Sequence, residues 1–455
     1  MKNKLFIYIT SIISIITFSC KKYVETDLSA NLVSSDKVFL ESGTANSAIE
    51  GLYSYYPSTY SIQYFTFLGG ISSDEMDYTG TGADLMQFVQ HSVSTTNSTN
   101  ESYLWTYPYQ VVGYINQAID GLNASTALTD SLKNSLLGES KFLRAWYYFN
   151  LVNYFGKIPL ILNSQALNNT SIGNSDSATV YKQIISDLTE AQSNLYATYP
   201  GTSTFRIRGN KWAATNLLAK VYLYQKDYAS AITEASKVIE SGTYSLSDVK
   251  NAFINTSKET IWQSSTVYGY SSIGTNYRSA TNDTTVIPPT FVVDSSLVKS
   301  FDTSDLRYKN WIDFTKYNGI KYYRNYKYKL KSATAGNEYN VVMRLAETYL
   351  IRAEAKLFSN DISGALADIN MIRNRAGLSD FSSNNAADIF NEIVIERKKE
   401  LFGEFSNRWF DLKRWGLVNS VIGALDPNWK STAAWMPIPY NQIILNSNLT
   451  QNDGY

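Results

Sequence analysis

Flat aromatic rings set beside small neutral hydrogen-bonding groups are the commonest chemistry in this sequence. Phe, Trp and Tyr make up 14% of its 455 residues, with 35 tyrosines, and Ser, Thr and Asn are abundant. Rings and neutral polar groups together suit a ligand that is itself uncharged and polar. The rings best placed for this lie in two stretches read as loops. Tyr60, Tyr64 and Tyr78 fall in the first, with Asp74 beside them. Tyr268, Tyr270, Tyr277 and Trp311 fall in the second, with Asn276 and Arg278 as hydrogen-bonding neighbours. The same composition also fits a helical core with tyrosines at its margins.

Catalytic and metal chemistries find less support. His91 is the only histidine, which excludes a multi-histidine metal site and leaves one candidate for any Ser-His-Asp arrangement. In its Ser/Thr/Asn-rich surroundings it reads as a surface residue. Asp74, Glu75, Asp77 and Asp84 gather around Gly80 and Gly82, but not at EF-hand spacing, so a solvated acidic loop is expected. Two carboxyls across a cleft could hydrolyse a glycosidic bond, yet nothing singles out a pair. No catalytic residue, metal ligand or cofactor is assigned.

Cys20 is the only cysteine. Lys2 and Lys4, the apolar run 5–16 and the small residue Ser19 precede it, as in a secretion signal too short to span a bilayer. Cys20 resembles the lipid acceptor of a bacterial lipoprotein, although Thr17 stands where an aliphatic residue is usual. Cleavage before it would leave 455 − 19 = 436 residues with 38 basic and 40 acidic side chains. That balance, without a basic tract, gives no general attraction to nucleic acid.

The elements that would position these groups are mostly helical. After a signal at 1–19 and a tether at 20–35, the periodicity predicts one domain over 36–455. A first helix stops near Pro57, loops fill about 57–100, and helices follow over 105–122, 131–155 and around 180–191. Residues 212–240 and 346–374 repeat a helix–turn–helix pattern at an offset of 134, with Ala219 matching Ala353 and Asp227 matching Asp361. This is the tetratricopeptide pattern of helical hairpins, interrupted by large insertions. The insertion at about 241–335 reads as loop and short sheet. Within it, Tyr326, Tyr328 and Leu330 alternate with Lys327, Lys329 and Lys331, as in a strand with a lysine edge.

In this order the segments resemble the SusD/RagB family of outer-membrane nutrient-binding lipoproteins from Bacteroidetes. The blocks carrying the resemblance are 139–160 (ESKFLRAWYYFNLVNYFGKIPL), 212–240, 344–378, 395–416 (IERKKELFGEFSNRWFDLKRWG) and the tail from Pro437-Ile438-Pro439 to Tyr455. Phe405 stands where a glycine is common, Gln442 where Glu is usual and Ser447 where Pro is usual. The resemblance implies a predominantly α fold with a tetratricopeptide-like scaffold. It also implies a surface lid on a SusC-like TonB-dependent transporter, capturing oligomeric nutrient, usually glycan and sometimes peptide. Sugar rings carry flat C–H faces ringed with hydroxyls, which the aromatic and Asn, Asp or Arg candidates above would grip. The helical-block charges Arg344, Glu347, Arg352, Glu396, Arg397, Arg408, Asp411 and Arg414 are expected to form ion pairs. A glycoside hydrolase and a tetratricopeptide adaptor binding only proteins are the competing functions.

Overall fold

The computed structural model describes residues 37–201, 204–278, 288–332 and 335–455. The signal at 1–19, Cys20 and the tether at 20–35 lie outside the described residues. Eleven helices carry the architecture: α1 (Ser42–Ser54), α2 (Tyr56–Ile71), α3 (Tyr107–Ala124), α4 (Asp130–Phe155), α5 (Ser177–Asn194), α6 (Lys211–Tyr224), α7 (Tyr228–Glu240), α8 (Leu345–Phe358), α9 (Ile362–Arg375), α10 (Ala386–Leu401) and α11 (Asn407–Arg414). At its centre runs α4, capped by Thr129 and ended by Gly156 at φ +76°. From Ser135 to Phe155, apart from Lys141, it is buried all round, as a helix enclosed by others must be.

The sequence repeat is a structural repeat. Lys226 (φ +59°) and Asn360 (φ +62°) turn the two hairpins, and Asp227 and Asp361 then cap α7 and α9 through the backbone N–H groups of Ser230 and Gly364. Although far apart in sequence, the hairpins are neighbours: Ala219, Ala231 and Ala235 of the first share a core cluster with Ile351 and Ala355 of the second. Small alanines allow the close approach that stacked hairpins need.

Two expectations about the insertions need correction. Residues 57–100 are not mainly loop: Pro57 opens α2 rather than ending α1, because a proline is tolerated in the first helical turn, where its missing N–H would have no partner. The predicted strand around Tyr326, Tyr328 and Leu330 is absent. The hairpin lies earlier, as β4 (Ile312–Tyr317) and β5 (Ile320–Asn325), turned by Asn318 and Gly319 with positive φ. Lys327 points inward, donating to the carbonyls of Glu400 and Phe402 at 2.8 Å and pairing with Glu404.

The remaining strands join distant segments. β1 (Met76–Tyr78) pairs antiparallel with β3 (Phe291–Val293), tying the first insertion to the second. β2 (Thr260–Ser264) pairs with β6 (Asn340–Arg344), which leads into α8. A further contact fixes α2 to the frame: a Cβ on Gly69 would lie 2.0 Å from Ser406 Oγ, so only glycine admits this approach. The turn it meets is left-handed at both Phe405 (φ +44°) and Ser406 (φ +54°), which explains why a glycine would suit position 405.

Candidate aromatic binding surface

A band of tyrosines covers the outer face of α2 and the segment that packs on it. Tyr56, Tyr60 and Tyr64 recur every fourth residue and therefore share one side of α2. Opposite them, residues 100–106 form a π-helix whose wider turn carries Tyr103, and Tyr107 begins α3 one turn later. Tyr64 and Tyr103 stack face to face at 3.6 Å and 2°, Tyr56 and Tyr60 lie 4.4 Å apart, and Tyr60 meets Tyr103 at 5.8 Å. At the outer end Tyr55 and Tyr114 form an edge contact at 5.1 Å. Exposure rises outward, from half-buried Tyr64 to Tyr56, which is 59% exposed.

Tyr60 and Tyr64 hold their phenolic protons more tightly than an ordinary tyrosine. The neighbouring Tyr56 hydroxyl and then burial push Tyr60 up to about 12, and burial followed by Tyr103 raises Tyr64 well above its ordinary value. Tyr60 and Tyr64 therefore offer flat faces and uncharged hydroxyls across the physiological pH range.

The other candidates divide. Tyr64 packs on Phe67, and Phe67 meets Tyr277 at 5.8 Å and Phe291 at 4.4 Å. Tyr78 packs on Phe291 at 5.8 Å and its hydroxyl accepts the Gly82 N–H. Tyr277 and Trp311, however, are each 1% exposed, donating to the Gly403 and Val249 carbonyls, so neither presents a ring to solvent. Sequence alone misplaces them because a core aromatic and a loop aromatic look alike without long-range contacts. Tyr268 and Tyr270 form a separate stacked pair at 6.0 Å, with Tyr268 56% exposed. Asn276 donates to the Ser272 carbonyl, while Arg278 donates to the Lys329 carbonyl and lies over Tyr326.

Asp74 is engaged rather than available. Arg408 and Lys398 both bond its carboxylate and, despite burial, hold it down at about 2. Its acidic neighbours do not converge. Glu75 is buried, which pushes it up to about 8, and accepts the Gly403 N–H. Asp77 is raised to about 6 by burial and by Asp294. Asp84 accepts the Ser98 and Thr99 N–H groups. Among the described residues no group of three or more metal-capable side chains forms. His91 is not a surface residue: it lies between Asp426 (2.9 Å) and the Ser72 carbonyl (3.2 Å), with its ring against Trp409 and Trp429.

The helical-block charges pair as expected. Arg344 binds Glu259, Glu400 and Glu404, and Arg307 binds Asp305, Glu396 and Glu400. Arg397 and Arg414 share Asp411, Arg408 holds Asp74, Arg352 holds Asp368, and Glu347 meets Lys220. These bridges tie elements of the frame together, whereas the rings of the tyrosine band pack on one another and stay partly open to solvent.

Residues 202–433 match the profile of the SusD family, and residues 46–223 match one described as starch-binding and associating with the outer membrane. The chain belongs to the SusD family. SusD-like protein P2 of Formosa agariphila is 31% identical over 78% of this chain and 80% of its own. A SusD superfamily protein from Bacteroides vulgatus superposes with a TM-score of 0.80 at 22% identity, covering 92% of this chain and all of that one. A laminarin-binding SusD-like protein superposes with a TM-score of 0.73 at 25% identity, covering 91% and 99%. The predominantly α, SusD-like fold is thus established.

Tyr55, Tyr56, Tyr103, Tyr107 and Tyr114 were not singled out from sequence. The usable signal was Tyr56-x3-Tyr60-x3-Tyr64 and Tyr103-x3-Tyr107, a one-face helical spacing hidden by reading Pro57 as a stop.

Proposed function

We propose that this SusD-family protein captures oligomeric glycan on the tyrosine band and delivers it to a SusC-like TonB-dependent transporter. It would act as a non-enzymatic lipoprotein held at the outer membrane through Cys20. The band carries the reading, since it combines exposed rings with neutral hydroxyls over several helical turns, as a chain of sugar rings requires. The starch-binding description of the family profile and the laminarin-binding structural relative support glycan as the cargo. Among the described residues no helix is long and apolar enough to cross a membrane; in this reading acyl chains on Cys20 supply the attachment. Tyr78 on the first insertion, and the Tyr268–Tyr270 pair with Asn276 and Arg278 on the second, would extend the contact surface.

Binding of soluble residues 21–455 to immobilised polysaccharides and oligopeptides tests the reading, with the supernatant checked for cleavage products. Retention by a glycan class without cleavage is expected. Retention by peptides alone would replace glycan with peptide cargo, and released sugars would replace capture with hydrolysis. Separately, Cys20→Ala is expected to leave binding intact and abolish recovery with membranes.

A further inference from the structure

Of the nine tryptophans only Trp435 is exposed, at 40%, and it borders a cleft of about 400 Å³ apart from the tyrosine band. The cleft lies between the end of α4, the start of α5 and the C-terminal tail. Trp435 is held through both its backbone and its ring. Its backbone N–H donates to the Thr432 carbonyl at 3.2 Å, and its backbone carbonyl accepts the Tyr455 hydroxyl at 3.0 Å. Lys413 Nζ lies 4.0 Å from the ring centroid, and Gly156 lies against the ring: a Cβ there would approach it to 3.3 Å. A fixed indole loses little freedom when a ligand stacks on it.

Part of the lining is tied to the protein, with Asp176 accepting the Thr179 N–H and Asn452 donating to the Phe155 and Met436 carbonyls, and part faces the open cleft. Among the described residues, the side chains of Lys157, Ser177, Ser431, Thr432 and Asp453 line this cleft without a hydrogen bond to the protein. Three hydroxyls, one ammonium and one carboxylate around an immobilised indole match a polyol ring with an apolar face. The volume is also within the usual range for a small-molecule site.

We infer that this cleft is a second saccharide site, which packs a pyranose ring against Trp435 and receives its hydroxyls on Ser177, Ser431, Thr432 and Asp453. The inference takes its ligand class from the glycan reading above but not its location. Two sites on one chain would raise retention on a long polysaccharide beyond what either gives on a short oligomer.

The test uses the soluble chain labelled with fluorotryptophan, observed by fluorine NMR, with maltotriose, laminaritriose, cellotriose and xylotriose as probes. The resonance missing from Trp435→Phe identifies position 435. It is expected to shift saturably with at least one trisaccharide, at a dissociation constant of about 1 mM or tighter. The same shift is expected in the Tyr56→Ala/Tyr60→Ala variant. A Trp435 resonance unmoved by all four probes overturns the second site and leaves the tyrosine band untouched. A shift that vanishes in the tyrosine variant also overturns it, because one shared site would then explain both. If Trp435 responds while the tyrosine variant retains wild-type polysaccharide affinity, the band fails and this cleft stands.

Discussion

In the helical frame Arg344 is enclosed by Glu259, Glu400 and Glu404 with 1% of its surface exposed, whereas on α2 Tyr56 leaves 59% of its surface open and meets Tyr60 and Tyr107. The first region is rich in charge and has spent it internally. The second is built of aromatic rings packed on one another and partly open to solvent. Residues that look most reactive in the sequence are therefore structural, and the plain repetition of tyrosine marks the surface proposed above to bind glycan. Burial explains the division: a desolvated charge must be paired, while a phenol tolerates a boundary between protein and water.

Arg344→Ala should break this contrast on the frame side with the largest effect. Removing one partner strands buried carboxylates, which costs about 3–5 kcal/mol. Chemical denaturation should show that loss, and a change below about 1 kcal/mol would mean the network is dispensable.

The next effect is on pH dependence. Glu75 holds its proton in the fold up to about 8, against an ordinary 4.5, because burial outweighs the Gly403 N–H and nearby Lys327 and Arg408. The unfolded chain releases that proton above about 4.5, so stability falls as pH rises from there towards 8. Asp77, raised to about 6, adds a loss of the same sign at lower pH. Glu75→Gln should flatten the melting-temperature profile between pH 6 and 8. An unchanged slope in the variant would assign the dependence elsewhere. Asp74 works in the opposite direction: held at about 2, it contributes stability that is lost as pH falls from 3.8 through 2.

On the binding side, Tyr56→Ala/Tyr60→Ala should lower glycan affinity about tenfold or more, roughly 1.4 kcal/mol. Truncating Tyr56 alone should leave the unfolding free energy within about 0.5 kcal/mol, as expected at an exposed site. Calorimetry on both variants would separate binding from folding. The smallest effect is expected from Tyr268→Ala/Tyr270→Ala, a few-fold loss for long oligomers only. Unaltered affinity for every length would remove that pair from the binding surface.

Much of the frame was legible from local pattern. Asp227 and Asp361 mark both hairpin turns, and the alanines of 212–240 and 346–374 mark their packing faces, because capping and helical periodicity act within a few residues. The proposed binding surface was less legible. Tyr60 and Tyr64 were singled out, but on a stretch read as loop, since a proline has opposite meanings at the two ends of a helix. Tyr277, Trp311 and Asp74 lost their proposed roles through partners at Gly403, Val249, Lys398 and Arg408, all distant in the chain.

By itself, then, the sequence determined a mostly helical frame, its two hairpins, and the excess of neutral polar rings. The tertiary structure decided that the hairpins stack against each other across a long insertion and that β1 and β3 bring the two insertions together. It also decided which aromatics face water. Helical spacing and caps are set by neighbours along the chain, whereas burial and ion pairing depend on which segments meet, and that is fixed only when the whole core closes.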